Sequence, residues 1–352
     1  MASELTGTVT FANGIPAAGV QVRIFDRDAP GKGDDDLTLE PGVSNERGVF
    51  TVHYEPGRFR DFAELPDLGL DWLNGPEGRR KIPDPLDVLT PYAHFSYHAR
   101  GELCTYTADI PLFHRRFRLP ETVPIAFQPS RHGFQFPNAF RGYMLPFSIP
   151  GFPPTHVKGI YGLCGGMSSA AYDHVICGRP VPPVAEVPRT GSRLQRYLFR
   201  RAIDTFAMGE SILRFARWMA LPEDGLNGTY RLTYESFSQL QEALNNHYLM
   251  VLGLVYDKGR NVQEIARNVW NNHQVLAYAY TRLADGSYDV HIYDPNYPRN
   301  DEIRLHLEEV EVGQVDGVPR YGLKCMQVNG EQALRPVRGF FPMPYEPVEP
   351  PL

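Results

Sequence analysis

The stretch Tyr161-Gly162-Leu163-Cys164-Gly165-Gly166-Met167-Ser168-Ser169-Ala170-Ala171 sets a cysteine among small residues at the head of a segment that reads as a helix. The first N–H groups of a helix have no intrahelical acceptor, and with the helix dipole they favour thiolate over thiol. Cys164 is therefore the first candidate nucleophile. Further along, Asn272-His273-Gln274-Val275-Leu276-Ala277-Tyr278 opens a strand on a histidine, and the returning run His291-Ile292-Tyr293-Asp294-Pro295-Asn296 closes on a carboxylate. The chain order is Cys, His, Asp. A thiolate attacks, an imidazole moves the proton, and an acceptor fixes the imidazole tautomer.

Around these motifs the second part of the chain puts helices before strands. The spacing predicts helices over Gly165 to Cys177, with Gly178 as the stop, over Ser192 to Ala207, Ile212 to Met219 and Glu235 to Asn246. Strands are expected at Tyr248 to Tyr256, Gln274 to Arg282 and Tyr288 to Asp294, the last two forming a hairpin turned at Asp285-Gly286. A two-residue turn there sets Asp294 opposite Ala277 and Asn296 opposite Val275. Asp294 then needs a bulge or strong twist to meet His273, and Asn296 is the alternative orienting group.

The first part reads as short strands and turns. Gly7 to Phe11 and Val20 to Phe25 flank a turn at Asn13-Gly14-Ile15-Pro16, and Val20 to Phe25 alternates apolar with polar as a half-buried strand does. A further turn and strand occupy Val43 to Tyr54, and strands resume at Ala93 to Tyr97 and Leu103 to Thr107. Between them, Phe62 to Pro91 is rich in Pro, Gly and Asp and reads as a long excursion. The acidic loop Asp26 to Asp36 lacks the ligand spacing of an EF-hand, so a solvated loop is expected over a Ca²⁺ site.

A length of 352 residues suits two cores. The expectation is an all-β sandwich over 1–120 and an α+β domain over 121–352, in which 121–154 links and covers. With 22% charged residues and a formal net charge of −6, the chain does not present itself as a binder of nucleic acid or anionic membranes. No apolar run approaches the ~20 residues that span a bilayer. Met1 to Thr6 shows neither a basic start nor an apolar block, so a cytoplasmic protein, or one exported without a signal, is expected. Cys104, Cys164, Cys177 and Cys325 form no C-x-x-C pair, so reduced thiols are expected, with no metal and no cofactor.

Two resemblances sharpen these expectations. Gly14-Ile15-Pro16-Ala17-Ala18-Gly19-Val20 and Asn45-Glu46-Arg47-Gly48-Val49-Phe50 resemble the turn motifs of the transthyretin-like or carboxypeptidase-regulatory-like β-sandwich, with Asn45 where that family has Asp. The resemblance implies a fold and little about function. Cys164-Gly165, His273-Gln274-Val275-Leu276 and Asp294-Pro295 resemble, in order, motifs of papain-like cysteine peptidases, closest to the bacteriocin-processing, double-glycine branch. This resemblance implies a papain-like domain with Cys164, His273 and Asp294 as catalytic residues and a peptide or protein as substrate. That family carries a Gln about six residues before the cysteine as an oxyanion donor, and this chain has Lys158 there. Asn138, His156 and Gln135 are the candidates for the missing donor, Asn138 first, because a carboxamide donates without a charge change. The departure leaves open a transamidase or deamidase acting as a delivered effector, or an inactive domain that binds a peptide or glycan. The partner of the first domain is unknown.

Overall fold

A computed structural model describes residues 2–27, 34–56, 62–63, 82–83, 91–99, 101–111, 115–143, 158–206 and 209–351. The chain divides into two compact units, Met1–Val123 and Pro124–Leu352. Most of the excursion expected between Phe62 and Pro91, the centre of the acidic loop, residues 144–154 of the linking segment, and His156 lie outside the described residues.

The first unit consists of two sheets around one apolar core. One sheet runs in the order Arg116–Arg118, Ser3–Thr10, Val49–Tyr54 and Thr38–Glu40, with its first pair parallel. The other runs Glu102–Asp109, Pro91–Ala99, Gln21–Asp26 and Asp35–Asp36, with Gly42–Val43 also paired to Gln21–Asp26. Alternation makes the core, because a strand sends every second side chain to one face. Leu5, Val9, Phe50, Val52 and Phe117 come from the first sheet, and Val22, Ile24, Ala93, Phe95 and Tyr97 from the second. At the Val43 to Tyr54 turn, Asn45 Oδ1 accepts from Arg47 N at 2.9 Å and Val49 N at 3.1 Å. Only the side-chain oxygen is used, so Asn serves at this turn as Asp would. Gly48 follows at φ 70°, and a Cβ there would lie 2.2 Å from the Val9 carbonyl oxygen, so both conformation and space require glycine. The flanks of the acidic loop are engaged within the unit. Asp36 pairs with Arg23, and Tyr92 donates to Asp34 at 2.6 Å.

In the second unit a seven-stranded antiparallel sheet runs in the order Gln332–Val337, Val318–Asn329, Ile303–Val315, Tyr288–Tyr293, His273–Arg282, Met250–Val255 and Gly339–Pro342. Phe237 and Leu240 of the helix Thr229–Asn245 cover Val275, Ala277, Val290 and Ile292 on one face. Gln274 therefore points to the other face, where the helix Cys164–Ile176 lies against the strand His273–Arg282. Ser168 Oγ donates to the Gln274 carbonyl at 3.4 Å. The helix Arg193–Thr205 packs beside the cysteine helix, and its N-cap Ser192 accepts from Gln195 N at 3.2 Å. Gly178 at φ 61° ends the cysteine helix, with Gly178 N and Arg179 N donating back to the carbonyls of Val175 and His174.

Three differences from the sequence expectations bear on the site. The helix expected from Glu235 begins at Thr229. The hairpin turn is three residues long, closed by Leu283 N to Ser287 O at 2.9 Å with Gly286 at φ 92°. A bulge then falls between Ala277 and Ala279, so that Leu276 faces Tyr293. Both changes carry Asp294 toward the start of the partner strand, past the position opposite Ala277 expected from a two-residue turn. Among the described residues no helix is long and apolar enough to cross a membrane.

Candidate active site

Cys164 is the first residue of its helix, and His273 the first residue of its strand. Asp294 follows the last residue of Tyr288–Tyr293. These three element ends meet on one cavity of about 350 Å³. His273 Nε2 lies 2.7 Å from Asp294 Oδ1, and both residues are buried. Cys164 lines the same cavity as the His273 ring, near enough for each to shift the titration of the other. With Nε2 committed to Asp294, Nδ1 is the nitrogen left for the sulfur.

The electrostatics follow from this arrangement. Burial alone would push the Cys164 thiol up. The charge and hydrogen bond of His273 oppose it, and with the backbone N–H groups of Gln274 and Gly165 they bring the thiol below its ordinary value. His273 is the mirror case: burial would favour the neutral ring, but Asp294 and Cys164 raise it to about 10. Each member of the pair thus favours the charged form of the other. Elsewhere burial dominates, raising Cys177 to about 11 and Cys325 well above its usual value.

Asn138 enters this site from a distant loop. Its Oδ1 accepts from Leu163 N at 2.5 Å, just ahead of Cys164, and that backbone donor fixes which end of the carboxamide is oxygen. Nδ2 must then face Asn296 Oδ1, at 3.1 Å, which leaves the Asn296 amide nitrogen 3.2 Å from His273 Nε2. Beside a protonated ring that nitrogen is a neighbour and Asp294 is the acceptor. Asn296 still supports the carboxylate, donating its backbone N–H to Asp294 Oδ1 at 2.8 Å. Gln135 is not part of the site, because its amide is held by the carbonyls of Ser130 and Gly133 in its own loop. Of Lys158 only the backbone is described, in the strand Lys158–Tyr161.

Two residues were not anticipated from the sequence. Gln327 Nε2 donates to Asp294 Oδ2 at 2.6 Å, and its Oε1 accepts from the Tyr256 hydroxyl at 2.8 Å. Burial and the charge of Asp294 hold Tyr256 well above the usual phenol value, so it stays a donor. Its ring stacks on His273 at 6.4 Å and 21°. The glycines after Cys164 also have reasons in the packing. A Cβ on Gly165 would lie 2.4 Å from Gln274 Oε1, and one on Gly166 would lie 2.0 Å from the Leu198 carbonyl oxygen. Among the described residues no group of three or more His, Cys, Asp or Glu is placed to hold a metal ion.

No protein-family model matches the chain. No curated protein matches it either. Among solved structures it is similar to a 9R-lipoxygenase from Cyanothece, at 10% identity and a TM-score of 0.18, over 97% of this chain and 42% of that one. The chain thus spans less than half the length of that enzyme, and a score this low carries no argument about fold or activity.

Proposed function

We propose that residues 124–352 form a papain-like cysteine hydrolase acting on a peptide or isopeptide bond, with Cys164 as nucleophile, His273 as proton carrier and Asp294 as its orienting partner. The observation that carries this reading is the 2.7 Å contact of His273 Nε2 with Asp294 Oδ1, beside a thiol brought below its ordinary value at a helix start. The thiolate attacks the carbonyl carbon, forming a C–S bond and moving the π electrons onto oxygen. The Cys164 N–H, in the first turn, and the Asn138 amide, on the cavity wall, are the donors assigned to that oxyanion in this reading. As the oxyanion collapses, the C–N bond breaks and His273 gives its Nδ1 proton to the leaving amine. Water then loses a proton to His273, adds to the thioester, and releases the acid and the thiolate. The first unit is proposed as a transthyretin-like sandwich that docks a partner.

The test compares wild type with Cys164→Ala. Iodoacetamide at pH ~6.5 is expected to modify Cys164 ahead of Cys104, Cys177 and Cys325, as located by peptide mapping. Turnover of a peptide and isopeptide library is expected to fall by roughly three orders of magnitude or more in the variant. Equal processing by both proteins, or slower labelling at Cys164 than at the other three thiols, would overturn the reading.

A further inference from the structure

One charged cavity residue takes no part in the proposed chemistry. Arg335, on the strand Gln332–Val337, lines the cavity shared by Cys164 and His273. Its guanidinium carbon lies over the Tyr256 ring, 3.4 Å from the centroid. That ring is itself fixed, since Tyr256 N donates to Asn272 Oδ1 at 3.1 Å and the hydroxyl is held by Gln327. Among the described residues no carboxylate pairs with Arg335. Asp294, the acid in the cavity wall, has its oxygens occupied by His273, Asn296 N and Gln327. A guanidinium seated on an aromatic ring keeps its in-plane N–H fork for a planar anion, and a carboxylate fits that fork with two hydrogen bonds. Elsewhere the wall mixes apolar side chains, among them Phe206, Phe215 and Trp270, with neutral amides such as Asn271, Asn272 and Gln274.

We propose that Arg335 is a specificity residue that binds a carboxylate of the substrate, a free C-terminus or an acidic side chain, next to the acyl group presented to Cys164. The inference rests on the hydrolase reading for the identity of the reacting group. Its physical content is narrower: an anion enters the Cys164 cavity on Arg335, and the neutral isostere does not gain from that contact.

Iodoacetate and iodoacetamide form the same C–S bond and release iodide, differing in whether a carboxylate is carried into the cavity. The rate ratio of iodoacetate to iodoacetamide at Cys164 is expected to fall about tenfold in Arg335→Gln, the worth of one charge-assisted contact, and less in Arg335→Lys. The neutral reagent corrects for general changes in thiol reactivity and in the attraction of His273. Two blockers separate the sources. N-acetylglycine, against N-acetylglycinamide, slows labelling if a C-terminus is read, and N-acetylaspartic α-amide does so if a side chain is read. An unchanged ratio in Arg335→Gln with Cys164 still reactive overturns the carboxylate site and leaves the hydrolase reading standing. A Cys164 inert to both reagents defeats the hydrolase reading instead. The carboxylate site is then decided by the NMR signal of Arg335 Nε–H in Cys164→Ala, where no shift on adding N-acetylglycine overturns it.

Discussion

Gln327 holds Asp294 from behind. Its Nε2 donates to Asp294 Oδ2 at 2.6 Å while Oδ1 takes the histidine, so the carboxylate cannot rotate without losing a hydrogen bond. Gln327 is 2% exposed. Replacing it with Met keeps the volume and removes the amide. Without that donor the carboxylate is free to turn away from His273, which weakens its grip on the imidazolium. The acid limb of the Cys164 labelling profile should therefore move to higher pH in Gln327→Met. A loss of about 1–3 kcal/mol in unfolding free energy should accompany it, from the unsatisfied buried oxygen. A variant less stable but with an unmoved profile would make Gln327 a structural residue only.

The pH dependence follows from the directions of the two shifts. Thiolate and imidazolium coexist from the depressed thiol value up to about 10. Labelling of Cys164 needs the thiolate alone, so its rate should rise once, below the ordinary thiol range, and then stay level. In the proposed hydrolysis, turnover also needs the His273 proton for the leaving amine, so it should fall again as pH rises through about 10. Linkage gives a second readout. The folded pKa of His273 lies above its unfolded value of about 6.5, so its contribution to stability is complete below pH ~6.5 and is lost as pH rises through about 10. In His273→Ala burial of the thiol is no longer opposed by the imidazolium, and the labelling profile should shift upward. A profile in His273→Ala that overlays wild type would separate the two side chains.

The cysteine helix is held close to its neighbours, and the glycines are where this shows. In Gly166→Ala the new methyl would meet the Leu198 carbonyl oxygen at 2.0 Å, a backbone atom of the adjacent helix that cannot swing aside. The two helices must separate, which should cost about 1–3 kcal/mol or more and lower the unfolding midpoint measured by circular dichroism. Gly191→Ala is a useful contrast. Its methyl has open space, and the strain of its φ of 81° is confined to an exposed turn. If Gly166→Ala cost no more than Gly191→Ala, the close approach would not be real.

What could be read from the sequence was local. Cys164 at a helix start, His273 opening a strand and Asp294 ending its return are set by short motifs and by period-two alternation. The loop length and the bulge near Tyr278 were not readable, because a hairpin register depends on one residue adopting a bulge that Ala277-Tyr278-Ala279 does not advertise. The strands after Asn296 went unassigned, although Ile303, Leu305 and Leu307 alternate plainly and are buried. Leaving them out also hid Gln327 and Arg335, which reach the site only once the sheet has extended past Ile303–Val315. The early start of Thr229–Asn245 was masked by Thr229, Tyr230, Thr233 and Tyr234, residues of weak helix propensity that tertiary packing overrides.

A separate titration should be visible on the far side of the cysteine helix. Asp173 accepts from Tyr197 OH at 2.7 Å on Oδ2, and from Tyr345 OH at 2.6 Å and Val348 N at 2.9 Å on Oδ1. Tyr345 and Val348 belong to the C-terminal segment, which Arg179 also holds through Glu349 at 2.6 Å and the Pro350 carbonyl at 3.1 Å. Burial raises Asp173 to about 6 despite these donors. Because the folded pKa exceeds the unfolded one, near 3.9, the folded state binds the extra proton between those values, and stability should decline as pH rises from about 4 to about 6. The decline attributable to this group is about 3 kcal/mol. Asp173→Asn should flatten that slope, since an amide oxygen can keep the Oδ1 contacts while its NH₂ meets a hydroxyl that turns to accept. Tyr345→Phe should instead keep the titration and loosen the segment, so that limited proteolysis trims the C-terminus faster. If Asp173→Asn leaves the slope between pH 4 and 6 as steep as in wild type, the buried carboxyl is not its source.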